Sequence, residues 1–365
     1  MRHGIIPPYL LQQLSALNAE RMGATRRAAA ATLEHDRTIR ELRAGEPAPP
    51  TGPSAGAAGV RTDADAIPAG PRRTIGDAGG TEQTPGNIVR REGEDPVSDV
   101  AVDEAYDGLG ATYALLADVY GRDSIDGSGL PLNATVHYGR KYDNAFWDGT
   151  QMVFGDGDGE VFGRFTASLS VIGHELAHGV TQYTAGLVYQ GQSGALNESV
   201  SDVFGALVEQ YQAGQTTDQA SWLIGAGLFT AAVGGSALRS MIAPGTAYDD
   251  DVLGKDPQPD HMDSYIKTSS DNGGVHLNSG IPNRAFAVAA NELGGHAWST
   301  VGQVWYDTLT NGSLTPTVRF AGFATATTKA ARARFGVRSS AELAVRKGWE
   351  TVGLSVRGLP LTRRR

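Results

Sequence analysis

Cysteine is absent from this chain of 365 residues. Disulfides, Fe–S clusters, thiol nucleophiles and cysteine-type zinc sites are excluded together, so any bound metal must rest on histidine and carboxylate ligands. There is no long apolar run, and mean hydropathy is −0.25; a soluble protein without a membrane partner is expected. Basic charge is scarce, with 31 Lys and Arg against 40 Asp and Glu and a net charge of −9. That balance argues against nucleic acid as a partner, because phosphate binding needs a basic surface. Aromatics at 7% argue against a sugar-binding surface. What remains is ordinary globular material, 40% hydrophobic and 19% charged, long enough for two or three folding units.

Charge and composition divide the chain. Residues 1–43 carry seven Arg against four acidic side chains, a net +3 that leaves −12 for the remainder. The opening stretch GIIPPYLLQQLSAL is interrupted by Pro7-Pro8 and Gln12-Gln13 and leads to no small-residue cleavage site, so it is not a recognisable signal peptide. Arg26-Arg27 precede a segment too polar for a twin-arginine signal. The protein is expected in the cytoplasm at synthesis, with secretion by a route unreadable from sequence left open.

From Pro8 to Leu42 the spacing of Tyr9, Leu10, Leu14, Leu17, Ile39 and Leu42 predicts one or two amphipathic helices starting at Pro7-Pro8. Residues 46–72, rich in Gly, Pro and Ala, cannot bury a core and are expected to be a flexible linker. A helix is expected over 102–120, antiparallel strands over 133–159, and helical periods dominate from Phe165 onward. The expected fold is α+β: a strand-rich lobe (73–190), a helical lobe (191–357) and a frayed basic tail (358–365), preceded by a short helical segment (1–45).

The strongest chemical signal is His174-Glu175-Leu176-Ala177-His178 in a helical stretch. Two histidines four apart project from one helix face and can share one Zn²⁺. Glu198, twenty positions after His178 on the next expected helix, supplies a third ligand, and a His, His, Glu set is the count a catalytic zinc needs without cysteine. Asp202 lies four residues after Glu198, so its carboxylate faces the same way and can accept a proton from the far nitrogen of a ligating imidazole. Asn197 is placed with it among the groups that steady the ligands.

The run HELAHGVTQYTAGLVYQGQSGALNESVSDVFGALVE closely resembles the zinc-helix region of thermolysin-like neutral metalloproteases. NAFWDGTQMVFGDGDG (144–159), ALRSM (237–241) and DNGGVHLNSG (271–280) resemble further signatures of that family in the same order, so the likeness spans roughly residues 84–357. The resemblance implies a zinc endopeptidase with His174, His178 and Glu198 as ligands and Glu175 as general base. It further implies Tyr189 and His276 as stabilisers of the tetrahedral intermediate, with Asp271 orienting that histidine. Asn144, the Ala145 backbone and Arg239 would bind the substrate backbone. Phe162, Phe165, Val171 and Leu238 would line the pocket for the residue after the scissile bond, favouring bulky hydrophobic side chains.

Two departures from the family pattern stand out. Ser170 occupies the first position of the family's calcium cluster, while Glu209 remains and only Asp218 follows in the next segment; a paired calcium site is not expected. Asp249-Asp250-Asp251 leave a single Ca²⁺ open against a plainly solvated loop. The short segment opening at Pro7-Pro8-Tyr9-Leu10 looks like that of the protealysin-like branch, which implies a zymogen whose own propeptide is a partner. Protein or peptide substrates and a monomer are expected. A non-catalytic peptide binder and an exopeptidase are the rivals; intact Glu175, Tyr189 and His276 speak against the first, and the lack of a motif for capturing a free amino terminus against the second.

Overall fold

The structure is a computed structural model that describes residues 3–43 and 70–356. Of the expected linker only 70–72 is described, and the expected tail lies outside the described residues.

Proline sets the entry to the first helix. Pro7 holds an extended φ of −64° and Pro8 opens α1 (Pro8–Ser15), whose Leu10, Leu11 and Leu14 are buried. Helix α2 (Ala19–Arg43) follows, kinked at Met22. Both pack on the body through apolar side chains of α1 and through Thr25, Ala29 and Thr32 of α2, all buried. Ahead of them His3–Gly4 forms strand β1.

The strand-rich lobe holds β2 (Arg73–Asp77), β3 (Asn87–Arg91), β4 (Leu132–Val136), β5 (Ala145–Trp147) and β6 (Met152–Phe154). With β1 they make one six-stranded sheet in the order β1-β5-β6-β4-β2-β3. The antiparallel expectation for 133–159 is met only by β5 with β6; β4 is parallel to both β6 and β2. The cause is topological: β6 inserts between β4 and β5, and a strand antiparallel to β5 there runs in the direction of β4. The GDGDG run (155–159) lies outside the strands. It is a loop after β6 in which Asp158 Oδ1 accepts the backbone N–H groups of Glu160, Val161 and Phe162 at 2.8 to 3.0 Å.

Helix α3 (Val100–Ala114) is capped by Asp99, whose side chain accepts from the Ala101 and Val102 amides, and continues into a π turn over Leu115–Val119. Helix α4 (Leu169–Gln182) is buried from Ser170 through Thr181, so it is the axis of the molecule rather than a one-sided surface helix. Helix α5 (Gly191–Ala213) stops at Gly214, which takes a left-handed φ of 63°. The two helices cross at glycines: a Cβ on Gly173 would lie 3.0 Å from Gly205 Cα, and one on Gly205 would strike the Ser170 carbonyl oxygen. Only small residues permit this approach, which brings α5 carboxylates up to α4 imidazoles.

Helices α6 (Asp271–Asn278), α7 (Gly280–Leu293), α8 (Val301–Thr310), α9 (Phe320–Phe335) and α10 (Ser340–Thr351) complete the helical lobe. Its core is aromatic, with Trp305 stacked on Trp349 at 6.1 Å and Phe286 edge-on to Trp305 at 5.1 Å. Two short ribbons, β7 (Leu223–Ile224) with β8 (Arg239–Ser240) and β9 (Asp249–Asp250) with β10 (Gly254–Lys255), link α5 to α6. Among the described residues no helix is long and apolar enough to cross a membrane.

Candidate metal centre and active site

His174 and His178 project from one face of α4, with ring centroids 4.7 Å apart, and Glu198 comes from α5. Their ligand atoms all lie within 4.8 Å of one another, the one such group of three among the described residues. His174 Nδ1 meets Asp202 Oδ1 at 2.7 Å, and His178 Nδ1 meets Asn197 Oδ1 at 2.8 Å. With each Nδ1–H donated to an oxygen, each Nε2 presents a lone pair, and these two nitrogens face each other at 3.1 Å. Glu198 adds oxygens 3.5 Å from either Nε2, and its Oε2 is buried with no hydrogen-bond partner.

A buried set made only of lone pairs is stable around a cation. The edge of a tetrahedron with bonds of about 2.0–2.1 Å is roughly 3.3 Å, and the separations of 3.1 and 3.5 Å straddle it. The residues therefore fit Zn²⁺. Burial lowers both imidazoles to about 4, which keeps them neutral and ready to ligate at neutral pH.

Asp202 is the hub behind the ligands. Burial would raise its pKa, but Arg239 and His174 hold it well below the carboxylate range. Arg239 donates to it through Nε at 2.9 Å and Nη2 at 2.8 Å, and Asn283 Nδ2 at 2.8 Å. Asn197 is fixed in turn by donating to the Leu187 carbonyl at 3.0 Å, and Ser201 Oγ lies 3.1 Å from His178 Nδ1. Ser201 and Asn283 were not foreseen. Ser201 lies three residues after Glu198 and so shares its face of α5, a signal that could have found it; Asn283 sits 81 positions from Asp202 and gave none.

Glu175, adjacent to His174, is fully buried; its Oε2 accepts the Trp147 N–H at 2.9 Å and its Oε1 has no partner. Burial pushes this carboxyl well above its ordinary range against the pull of the Trp147 amide. Tyr189 O–H donates to Glu198 Oε1 and stands 3.2 Å from His276 Nε2. His276 is bound at Nδ1 by Asp271 Oδ1 at 2.6 Å while its backbone N–H donates to Asp271 Oδ2 at 2.9 Å. Burial works against its protonation, but Asp271 and Glu198 outweigh that and hold it up at about 9. The left-handed run Asp271 to Gly274 makes this grip possible by turning the chain tightly ahead of His276.

The expected substrate groups are occupied by the N-terminal segment. Ala145 O accepts the Ile5 N–H at 3.0 Å, Asn144 Oδ1 accepts the Ile6 N–H at 3.0 Å, and Arg239 Nη1 donates to Ile5 O at 3.2 Å. Phe162, Phe165, Val171 and Leu238 are all buried in the main hydrophobic core, to which Ile5 and Ile6 also belong. Phe229, stacked on Phe162 at 5.5 Å, extends that wall and was missed, since a lone aromatic in a loop carries no period. Farther along, Asp36 accepts from Tyr142 O–H at 2.6 Å and Asn144 Nδ2 at 2.9 Å, and Thr25 Oγ1 donates to Glu160 at 2.9 Å. At the positions weighed for calcium in the sequence, Ser170 Oγ accepts the Gly225 N–H at 3.1 Å, and Asp250 accepts backbone N–H groups of Gly234, Val252 and Leu253.

A two-lobe α+β fold with a buried His, His, Glu centre between strand β5 and a Tyr–His pair defines a zinc metallopeptidase. The profile of the "Thermolysin metallopeptidase, catalytic domain" matches residues 74–182, and that of the "Thermolysin metallopeptidase, alpha-helical domain" matches residues 185–354. The chain is similar to an extracellular metalloprotease of Pectobacterium carotovorum subsp. carotovorum, 50% identical over 354 residues covering 97% of this chain and 96% of that one. It is 45% identical over 356 residues to protease PrtS of a Photorhabdus strain, covering 97% of this chain and 92% of the other. Its fold matches the precursor of protealysin, a metalloproteinase from Serratia proteamaculans, with a TM-score of 0.84 and 49% identity over 97% of this chain and 100% of that one. The chain belongs to the thermolysin family of zinc metalloendopeptidases and is a protealysin-type precursor.

Proposed function

We propose that this precursor matures into an endopeptidase that cuts before bulky hydrophobic residues, with Glu175 as general base, and that it removes its own N-terminal segment. The observation that carries the reading is the buried lone-pair cluster of His174, His178 and Glu198 with an unpartnered Glu175 oxygen one residue away. A zinc ion held by His174, His178 and Glu198 would supply a nucleophile at neutral pH by lowering the pKa of a water to about 7. Glu175 takes the proton of that water and delivers it to the leaving amine. Tyr189 O–H and His276 N–H, the latter held by Asp271, donate to the oxyanion. Asn144, Ala145 O and Arg239 align the substrate backbone on the edge of β5, and Asp202 and Asn197 orient the imidazoles.

The preference follows from the walls of the pocket. Phe162, Phe165, Val171 and Leu238 offer apolar surface and no charge, so a large aliphatic or aromatic side chain after the scissile bond gains burial that a small or charged one does not. Residues 1–45 form the propeptide, 46–72 the linker in which it is cut free, 73–190 and 191–357 the two catalytic lobes, and 358–365 a tail. Ile5, Ile6, Leu10 and Leu14, each no more than 2% exposed, supply most of the docking free energy, with the +3 charge of the segment steering the encounter. The mature enzyme acts on protein or peptide substrates as a monomer, and the chain is made in the cytoplasm.

Zinc content and turnover of internally quenched peptides test this together. One zinc per chain, cleavage abolished by a chelator, and at least about tenfold preference for Leu or Phe over Gly or Asp after the cut are expected. Zinc binding without cleavage would leave only a peptide binder; a requirement for a free amino terminus would make it an exopeptidase.

A further inference from the structure

Strand β1 runs antiparallel to β5 with His3 opposite Trp147 and Gly4 opposite Phe146. The next residue has its N–H on Ala145 O and its carbonyl on Arg239, the one after has its N–H on Asn144 Oδ1, and Ile5 is wholly buried in the same hydrophobic core as Phe162, Phe165, Val171 and Leu238. These are the groups proposed to hold a substrate's backbone and the side chain that comes after its scissile bond. Trp147, opposite His3, also carries the N–H that holds Glu175. A cavity of about 290 Å³, lined by Gly4, Ile6, Tyr189, Asp271 and His276 among others, adjoins the same stretch and has room for water.

We infer that the propeptide lies in the register of a substrate rather than merely over the cleft, and that the precursor hydrolyses its own Gly4–Ile5 bond, releasing Met1–Gly4. This rests on the proposed hydrolytic function and adds a cleavage site outside the linker. Water adds to the Gly4 carbonyl carbon, its proton passing to Glu175; the C–N bond breaks and the proton goes to the Ile5 nitrogen. The products are a tetrapeptide carboxylate and an Ile5 amino terminus, and no co-reactant beyond water is needed.

Glycine at position 4 is what admits this register. A Cβ there would overlap Asn144 Nδ2 and lie 2.5 Å from its Cγ, and that side chain is pinned by Asp36. Cleavage also weakens the docking of the rest of the propeptide. It severs β1 and its pairing with β5 from the segment, so residues 5–43 are held less firmly afterwards. Cleavage at Gly4–Ile5 is thus a first step that loosens the propeptide before the linker is cut.

The test is intact mass and N-terminal sequencing of the zinc-loaded wild-type precursor over time, at protein concentrations spanning a wide dilution range. A species beginning at Ile5 is expected, appearing at a rate independent of concentration because the bond is cut within one chain, and absent from the zinc-loaded Glu175→Ala precursor. Gly4→Ala is expected to slow this cut at least tenfold while leaving the linker cut available to added mature enzyme. If the released propeptide still begins with residues 1–4 while the same preparation cleaves a quenched peptide, the inference is overturned and the endopeptidase reading stands. If neither the propeptide nor the quenched peptide is cut, both fall.

Discussion

Arg239 and Asp202 form a buried two-bond ion pair, with Nε to Oδ2 at 2.9 Å and Nη2 to Oδ1 at 2.8 Å, and neither side chain is exposed to solvent. The pair couples two tasks. Asp202 also fixes the imidazole of His174, and Arg239 also donates to the Ile5 carbonyl oxygen. The metal centre and the seat of the N-terminal segment therefore share one carboxylate.

Asp202→Asn should weaken both. The amide cannot neutralise Arg239, and breaking a buried pair by removing one partner typically costs about 3–5 kcal/mol. Loss of the group that orients a ligating histidine typically lowers metal affinity about 10–100-fold. Competition with a zinc chelator and the urea midpoint of the variant measure the two effects; a variant with wild-type zinc affinity would remove Asp202 from the metal centre.

Glu175 should behave in the opposite way. Glu175→Gln keeps the shape of the side chain and touches no ligand, so bound zinc should stay near one per chain while peptide hydrolysis is lost. His174→Ala should lose both zinc and activity. A zinc-free Glu175→Gln protein, or one with near-normal turnover, would refute the role as proton carrier.

The zinc centre was legible because helix periodicity turns sequence spacing into geometry: His174 and His178 are one turn apart, as are Glu198 and Asp202, and only the crossing of α4 and α5 had to be supplied by tertiary structure. The glycine contact between Gly173 and Gly205 that sets this crossing leaves no pattern in a single chain. Other features depend on contacts between distant segments. A two-residue strand such as β1 has no period to read, and Asp36 looks like any helix-surface carboxylate until α2 lays it on Tyr142 and Asn144. The parallel placement of β4 escaped for a similar reason: alternation reports which face a side chain takes, not the direction of the neighbouring strand.

Tyr189→Phe and His276→Ala should each lower kcat by about 10²–10³ with little change in KM, since an oxyanion donor acts on the charge that develops in the transition state. Asp271→Asn should give a milder form of the His276 defect, because Asp271 touches His276 at both Nδ1 and the backbone N–H but not the reacting atoms. Steady-state kinetics on a quenched peptide separate these outcomes, and changes confined to KM would place the three residues in binding instead.

Asp143 gives the precursor a distinctive dependence on pH. It sits beneath α2, its backbone N–H donating to Thr32 Oγ1 at 3.1 Å, and both carboxyl oxygens are buried. Burial, reinforced by the neighbouring Asp158 carboxylate, raises its pKa from 3.8 to about 8, partly offset by the Asp158 amide and the Lys141 ammonium. Because the folded state holds this proton more tightly than the unfolded chain, the contribution is fully present below the unfolded pKa and is lost as pH rises through the folded one. Between about pH 4 and pH 8 one such proton corresponds to a slope of about −1.4 kcal/mol per pH unit. Glu175, also buried with a raised pKa, acts in the same direction, so the contribution of Asp143 is read from the difference between wild type and Asp143→Asn. That variant should be closer to wild type in urea midpoint at about pH 5 and clearly more stable at about pH 9. An equal difference at both pH values would show that Asp143 does not hold a proton in the folded precursor.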